Sequence, residues 1–468
     1  MDVSILAIPV ILAGIFSSSD GILRALMVCF LFGGTAAISI TALGNAPVLP
    51  AVLLTPFLAW RAISDKTISV STKYLAYPEP GFWLLLFVLW GVFSAFAFPR
   101  IFAGETMVFG MDRLALSPIA VMPLRPFSTH LTQSAYAILG LVCFVSVCTL
   151  LNSERRMMHM RDAILLLASL NIGAALLQLA ESYLGFPSFL NFVRNANYAT
   201  FTSGEIGGLV RIYGTFPEAS SFAGFTLGLF AFSASLCRDG VRPVYSGSVA
   251  LASLLLLLIS TSSTAYASLI GYTIAATAAA MFQAYWNNSP LKVGPTALTV
   301  WLLAVAACVA LLIKPEFITR ISDFFELTLF DKLESESGRE RSNWTQQGWI
   351  NFIDTYGFGV GLGGARSSSF PIALVSNVGV IGAFLFIAFL RRLFDPSTAR
   401  LSHEYVSVVR AARHALLIFL MAALVNAPFA DPGMLFYTFA AVVAAGRTRS
   451  KSQLLAESRL GVASKLLT

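Results

Sequence analysis

The residues best suited to chemistry lie in two stretches. The first is RIYGTFPEASSFAGF, residues 211–225, where Arg211 and Glu218 stand seven residues apart with Gly214 and Pro217 between them. Pro217 fixes φ and suits the first turn of a helix, or the position just before it. Glu218 then falls in that first turn, beside the positive end of the helix dipole. Forked hydrogen bonds make arginine the side chain of choice for clamping a diphosphate. A carboxylate near it could act as general base. The same residues also fit a plainer role: an interfacial arginine snorkelling to lipid headgroups and a glutamate capping a helix.

The second stretch is RERSNWTQQGWINFIDTYGFGVGLGGARSSSF, residues 339–370. Arg339, Arg341 and Trp344 open it, and Gly359, Gly361, Gly363 and Gly364 precede Arg366 and three serines. Glycines let backbone N–H groups approach an anion, and a following helix N-terminus favours it. No Lys-Ser/Thr pair follows, so this is not a P-loop. The alternative is a tight turn where the chain re-enters a membrane. Asn343-Trp344-Thr345 also reads as a glycosylation sequon, a triplet common by chance.

The elements that must position these residues are membrane helices. Hydrophobic residues make up 57% of the 468, charged residues only 12%, and mean hydropathy is +0.76. A water-facing surface needs roughly 25% charge, so soluble domains are excluded, and disorder and a disulfide scaffold with them. The five cysteines all sit in or beside apolar runs, and no cleavable signal peptide stands out. Apolar runs cover 3–19, 22–43, 46–62, 81–98, 131–151, 162–184, 219–236, 247–262, 264–284, 297–313, 370–390, 412–427 and 430–446. A span needs about 20 residues. The expected fold is an all-α polytopic membrane protein of about 12–13 transmembrane helices, the first three short and Pro-interrupted. In the loop 314–369, Phe317, Ile321 and Leu329, then Trp349, Phe352, Ile353 and Tyr356, recur at helical spacing, so this large outer loop carries amphipathic helices.

Charge sorts the connections. Short loops and the tail hold 20 of the 31 basic residues, from Arg24 and Arg61 through Arg155 and Arg410 to Lys465. The loops 99–130, 185–218 and 314–369 hold the other 11 and half of the acids. Positive loops stay in the cytoplasm, so the three long loops face outside. The net charge of +7 is a topology signal and not a nucleic-acid footprint. Central spans are nearly free of ionisable groups, Glu181 being the main exception, which moves the weight from transport to chemistry at the outer face.

An outer-loop segment carrying Arg211, Gly214, Thr215, Phe216, Glu218 and Ser220 is thus paired with a later outer loop. That loop carries Arg341, Trp344, Gly359-Val360-Gly361-Leu362-Gly363 and Arg366. The pairing resembles the O-antigen ligase/polymerase-like membrane glycosyltransferases, which include the exopolysaccharide repeat-unit polymerases. The likeness covers roughly residues 160–390. It divides the chain into N-terminal spans (1–158), a catalytic core (159–390, with outer loops 185–218 and 314–369) and C-terminal spans with a basic tail (391–468).

The resemblance implies a function. Such proteins work at the periplasmic face of the bacterial inner membrane, on glycans linked to undecaprenyl diphosphate as donor and acceptor. They need no cofactor, and a chain-length regulator or export protein can be a partner. Arg211, Arg341 and Arg366 match the family's functional arginines, with Glu218 as candidate base. Arg339, Gly361, Gly363, Trp344 and Tyr213 are candidate substrate contacts. The ligases carry a functional histidine in the large loop, whereas His130, His159, His403 and His414 all lie elsewhere. A repeat-unit polymerase is therefore expected ahead of a ligase. A lipid-linked glycan flippase would show charged spans and repeat symmetry, and a structural assembly partner would need no arginines clustered beside glycines. No metal is expected, since no D-x-D occurs and the trio Glu334, Glu336 and Glu340 reads best as a solvated face.

The charge split makes a direct prediction. Single cysteines at Ser335 and Ser452 should react with impermeant thiol reagents from opposite sides of the membrane; labelling of both from one side would overturn the orientation.

Overall fold

Length sorts the helices into two groups. The computed structural model describes residues 2–41, 45–65, 68–111, 119–196, 205–206, 209–286, 336–395 and 401–449. Three short helices open the chain: α1 (Ala7–Phe16), α2 (Ser19–Phe30) and α3 (Pro50–Asp65). At 1.5 Å per residue they reach about 15, 18 and 24 Å, less than the roughly 30 Å hydrocarbon core. An antiparallel sheet of β1 (Asp2–Val3), β2 (Ile38–Ile40) and β3 (Ala46–Val48) joins their ends. The continuous span expected over 22–43 is therefore corrected: the helix stops at Phe30 and the chain turns through Gly33 and Gly34 into β2. The Gly34 N–H donates to the Thr215 carbonyl at 2.9 Å, and a side chain on Gly33 would collide with the Phe216 ring. That apolar run packs inside the protein.

The rest of the chain supplies α4 (Ile68–Leu75), α5 (Pro80–Ile101), a hairpin of β4 (Met107–Met111) and β5 (Ile119–Pro123), α6 (Ser128–Leu150) and α7 (Glu154–Leu184). Then follow α8 (Ala219–Arg238), α9 (Pro243–Ile259), α10 (Ser263–Trp286), α11 (Glu336–Asp354), α12 (Phe370–Phe394), α13 (His403–Val425) and α14 (434–449). Among the described residues seven helices are long and apolar enough to cross a membrane: α5, α6, α7, α8, α10, α12 and α13. The protein is an all-α polytopic membrane protein. The expected span 297–313, and the amphipathic pattern from Phe317 to Leu329, lie outside the described residues. The second amphipathic pattern is α11, with Trp349 and Ile353 exposed and Asn351 buried.

Helix α12 is broken. Gly379 has φ +66° and ψ −169°, far from helical values. A break in a membrane helix frees polar groups that lipid cannot satisfy. Here the glycine segment 357–365 takes them. Ser376 and Asn377 carbonyls accept from the N–H groups of Val360 (2.8 Å) and Gly361 (2.9 Å), and the Val380 N–H donates to Gly357 O at 3.0 Å. The Trp90 indole donates to Val378 O at 2.8 Å. Gly359, Gly361 and Gly363 all have φ between +83° and +91°, a region open chiefly to glycine.

The two ends of the bundle differ. Ion pairs tie one end: Arg156 with Asp65 (2.6 Å) and Asp20 (3.3 Å), Arg242 with Asp162 (3.0 Å), Arg410 with Asp239 (2.9 Å) and Arg447 with Asp395 (3.1 Å). They join ends of α2, α3, α7, α8, α9, α12, α13 and α14. The described parts of the long loops lie at the other end. There the hairpin β4–β5 meets α11, with Gln347 donating to Met107 O at 2.7 Å and Thr106 donating to the Asp354 carboxylate at 2.7 Å.

Gly361 tests the plug in the break. A Cβ there would sit 2.6 Å from Ser94 O, and positive φ adds about 1–3 kcal/mol. Gly361→Ala should lower the thermal midpoint of the detergent-purified protein. Gly224→Ala in α8, with open space around it, should leave the midpoint unchanged or raise it. Equal midpoints for both variants would refute the packing role.

Candidate functional site

The site forms where the 211–218 segment meets the start of α8. Of the seven long helices α8 is the most enclosed, 83% of its apolar stretch being buried, so its N-terminus opens at the centre of the loop-bearing face. Gln178 of α7 holds Arg211, Tyr213 and Gly214 by their backbones. Thr215 donates its hydroxyl to Leu31 O, and the Phe216 ring lies 4.7 Å from that of Phe225. The loop is thus pinned from both sides.

Glu218 is the N-cap residue of α8, one position earlier than its expected place in the first turn. Its carboxylate makes no capping bond. It accepts instead from the hydroxyls of Ser220 and of Ser221 (3.4 Å) and faces the Arg341 guanidinium at 3.8 Å. Arg341 arrives from α11. Trp344, three residues on and therefore on the same helix face, lies 4.7 Å beneath the Arg366 guanidinium. The Phe429 ring, between α13 and α14, lies 5.7 Å from it. The two rings hold that cation without neutralising it.

Electrostatics join the four groups. Burial pushes Arg211 and Arg366 below the usual arginine range; the Glu218 carboxylate opposes the shift and the Arg341 charge adds to it. Arginines stay protonated throughout. The Nε atoms of Arg211 and Arg366 are buried without a hydrogen-bond partner. Three guanidiniums from three separate segments thus act on the Glu218 carboxylate, Arg341 at 3.8 Å and Arg211 and Arg366 through its charge, and Glu340 acts on Arg366 as well. Such an arrangement is suited to a multiply charged anion, which would satisfy the unpaired donors.

The other expected contacts fare unequally. Arg339 is exposed; two residues from Arg341 it points about 200° away around the helix, so it is not brought in. One face of the Tyr213 ring carries Arg194, whose guanidinium lies 4.8 Å from its centroid. Gly361 and Gly363 do not form an anion cradle, which corrects that reading. Their N–H groups already donate to Asn377, at 2.9 Å to its carbonyl and 3.0 Å to its side chain. The run is the tight turn, and its part in the site is to place Arg366. Glu181 accepts from Leu190 N at 3.1 Å and orders the 3₁₀ turn that follows α7. Of the acidic trio, Glu334 lies outside the described residues, and Glu340 acts on Arg366 through its charge.

Sequence reading missed Gln178, Asn377 and Phe429. The two amides had a visible signal, polar side chains within apolar spans, but attention to ionisable groups passed over them. Phe429 had none, because only the fold brings it to Arg366.

Comparison with protein-family models, with curated proteins and with solved structures finds no match to this chain. The geometry and chemistry of the site carry the functional reading.

A cation kept for a ligand should be dispensable for folding. A buried charge without a close partner is costly to keep from water, and an apolar side chain of similar length is not. Arg366→Met should leave the thermal midpoint unchanged or raise it. A loss of about 3 kcal/mol or more, typical of breaking a buried ion pair, would instead make Arg366 structural.

Proposed function

We propose that this protein is a metal-independent membrane glycosyltransferase that polymerises oligosaccharide repeat units linked to undecaprenyl diphosphate. Its site would face the periplasm of a bacterial inner membrane. The observation that carries the proposal is the convergence of Arg211, Arg341 and Arg366 around Glu218 at the loop-bearing face. The resemblance of both loops to the O-antigen ligase/polymerase-like enzymes supports it, as does the absence of histidine from 314–369.

The growing chain on its lipid diphosphate is the donor. A hydroxyl oxygen of the incoming unit attacks the anomeric carbon and forms the new glycosidic bond. The bond from that carbon to the diphosphate oxygen breaks, and its electron pair leaves with the diphosphate. Direct displacement inverts the anomeric centre. Charge grows on the leaving group in the transition state, where preorganised guanidiniums stabilise it most. Glu218 receives the hydroxyl proton. The leaving diphosphate draws the arginines from Glu218, which frees its carboxylate for that proton.

Two variants test the roles. Arg211→Lys keeps the charge but not the forked geometry, and it should accumulate normally while transferring about 10²-fold more slowly. Wild-type polymer yield from it would sink the clamp. Glu218→Gln should still bind lipid-linked donor yet transfer about 10²–10⁴-fold more slowly. Near-normal turnover with defined repeat units would remove Glu218 as base and leave the arginines alone.

A further inference from the structure

Two neutral amides stand at the roots of two site arginines. Gln178, in α7, is 1% exposed. Its Oε1 accepts from the N–H groups of Tyr213 (2.9 Å) and Gly214 (2.7 Å), and its Nε2 donates to the carbonyl of Arg211 at 2.8 Å. Asn377, in α12, is wholly buried. Its Oδ1 accepts from Gly363 N (3.0 Å) and Ala365 N (3.2 Å), and its Nδ2 donates to the carbonyls of Ala365 (2.9 Å) and Ala373 (2.8 Å). The partners fix which atom is oxygen, since a backbone N–H only donates and a carbonyl only accepts.

Each amide therefore fastens a loop backbone at or next to an arginine to a rigid membrane helix. Gln178 grips Arg211 itself, and Asn377 grips the residue before Arg366. A hydrophobic side chain at either position would strand two buried N–H groups. A carboxylate could accept those N–H bonds but, when ionised, could not donate to the carbonyls. An amide alone does both tasks while leaving the positive charge free. Groups that must meet a ligand in one geometry need such support from rigid elements.

We infer that Gln178 and Asn377 are positioning residues, which hold Arg211 and Arg366 in place to grip a diphosphate while leaving both charges unneutralised. This rests on the diphosphate reading of the site.

The test is a pair of double-mutant cycles on the affinity of the purified full chain for farnesyl diphosphate, a soluble polyprenyl diphosphate, with thermal midpoints recorded alongside. Gln178→Leu should weaken binding tenfold or more, approaching the loss in Arg211→Ala. In the Arg211→Ala background it should add less than twofold, because its effect passes through that arginine. Asn377→Leu should behave likewise with Arg366→Ala, whereas crossing Gln178→Leu with Arg366→Ala should multiply the two losses. Should the leucine variants fail to fold, Gln178→Glu and Asn377→Asp keep both accepted bonds. They lose the donated bonds that fix the loop carbonyls, so they should bind the probe more weakly than the wild type and add less than twofold in the matching arginine-to-alanine background. Losses that multiply within the Gln178–Arg211 and Asn377–Arg366 pairs, or wild-type affinity in the carboxylate variants, would overturn the inference. Absence of probe binding by the wild-type chain would instead overturn the diphosphate reading, and this inference with it.

Discussion

The wall of the site that carries Arg366 depends on how the break at Gly379 is sealed. A membrane helix can be interrupted only where other groups take its freed carbonyls and N–H groups. The segment 357–365 does so, and its glycines are there because a Cβ on Gly359 would stand 2.8 Å from the Asn377 backbone and one on Gly363 2.6 Å from Thr129 O. The same contacts fix where the chain emerges from the bundle. Arg366 follows directly and reaches Trp344 and Phe429. One backbone seal thus sets the position of a charge.

The opposite wall of the site is built by different means to the same end. The 211–218 segment lies between the short N-terminal helices and α7, held by Gly34, Leu31 and Gln178. Glycine serves there again, letting Phe216 close over Gly33. The arginines so placed are costly to bury and poorly paired: among the described residues Arg341 faces Glu218 at 3.8 Å, and no carboxylate is in ion-pair contact with Arg211 or Arg366. The Arg156–Asp65 and Arg242–Asp162 pairs at the far end of the bundle have partly exposed side chains in direct contact, and each contributes about 1 kcal/mol or less. The contrast separates charges that serve topology from charges available to a ligand.

Much of this was legible in the sequence. Seven of the apolar runs from 81 onward lead to the long helices α5, α6, α7, α8, α10, α12 and α13, because a run of about 20 residues has few other uses. The charge split matches the two ends of the bundle, because short basic loops such as 152–156 and 238–242 carry the ion pairs. Arg211, Glu218, Arg341 and Arg366 were all visible as candidates. The N-terminal run 22–43 misled, since apolarity does not distinguish a side chain facing lipid from one facing the protein interior. The glycine run misled as well. Composition shows that a backbone can come close to something, and only the fold shows that its partner is α12 rather than an anion. Gln178 and Asn377 are single polar letters in apolar spans, and their meaning lies in which loops return to them.

The central idea is that a lipid diphosphate leaves from the arginine-lined face as each glycosidic bond forms. Reconstitution in nanodiscs with one defined polyprenyl-diphosphate-linked oligosaccharide tests it most directly, by counting free polyprenyl diphosphate against new bonds. The account predicts a ladder of lengthening products with one diphosphate released per bond, inverted anomeric configuration at each junction, and no requirement for nucleotide. Movement of the intact lipid-linked oligosaccharide across the membrane, with no new bond and no diphosphate released, would contradict it.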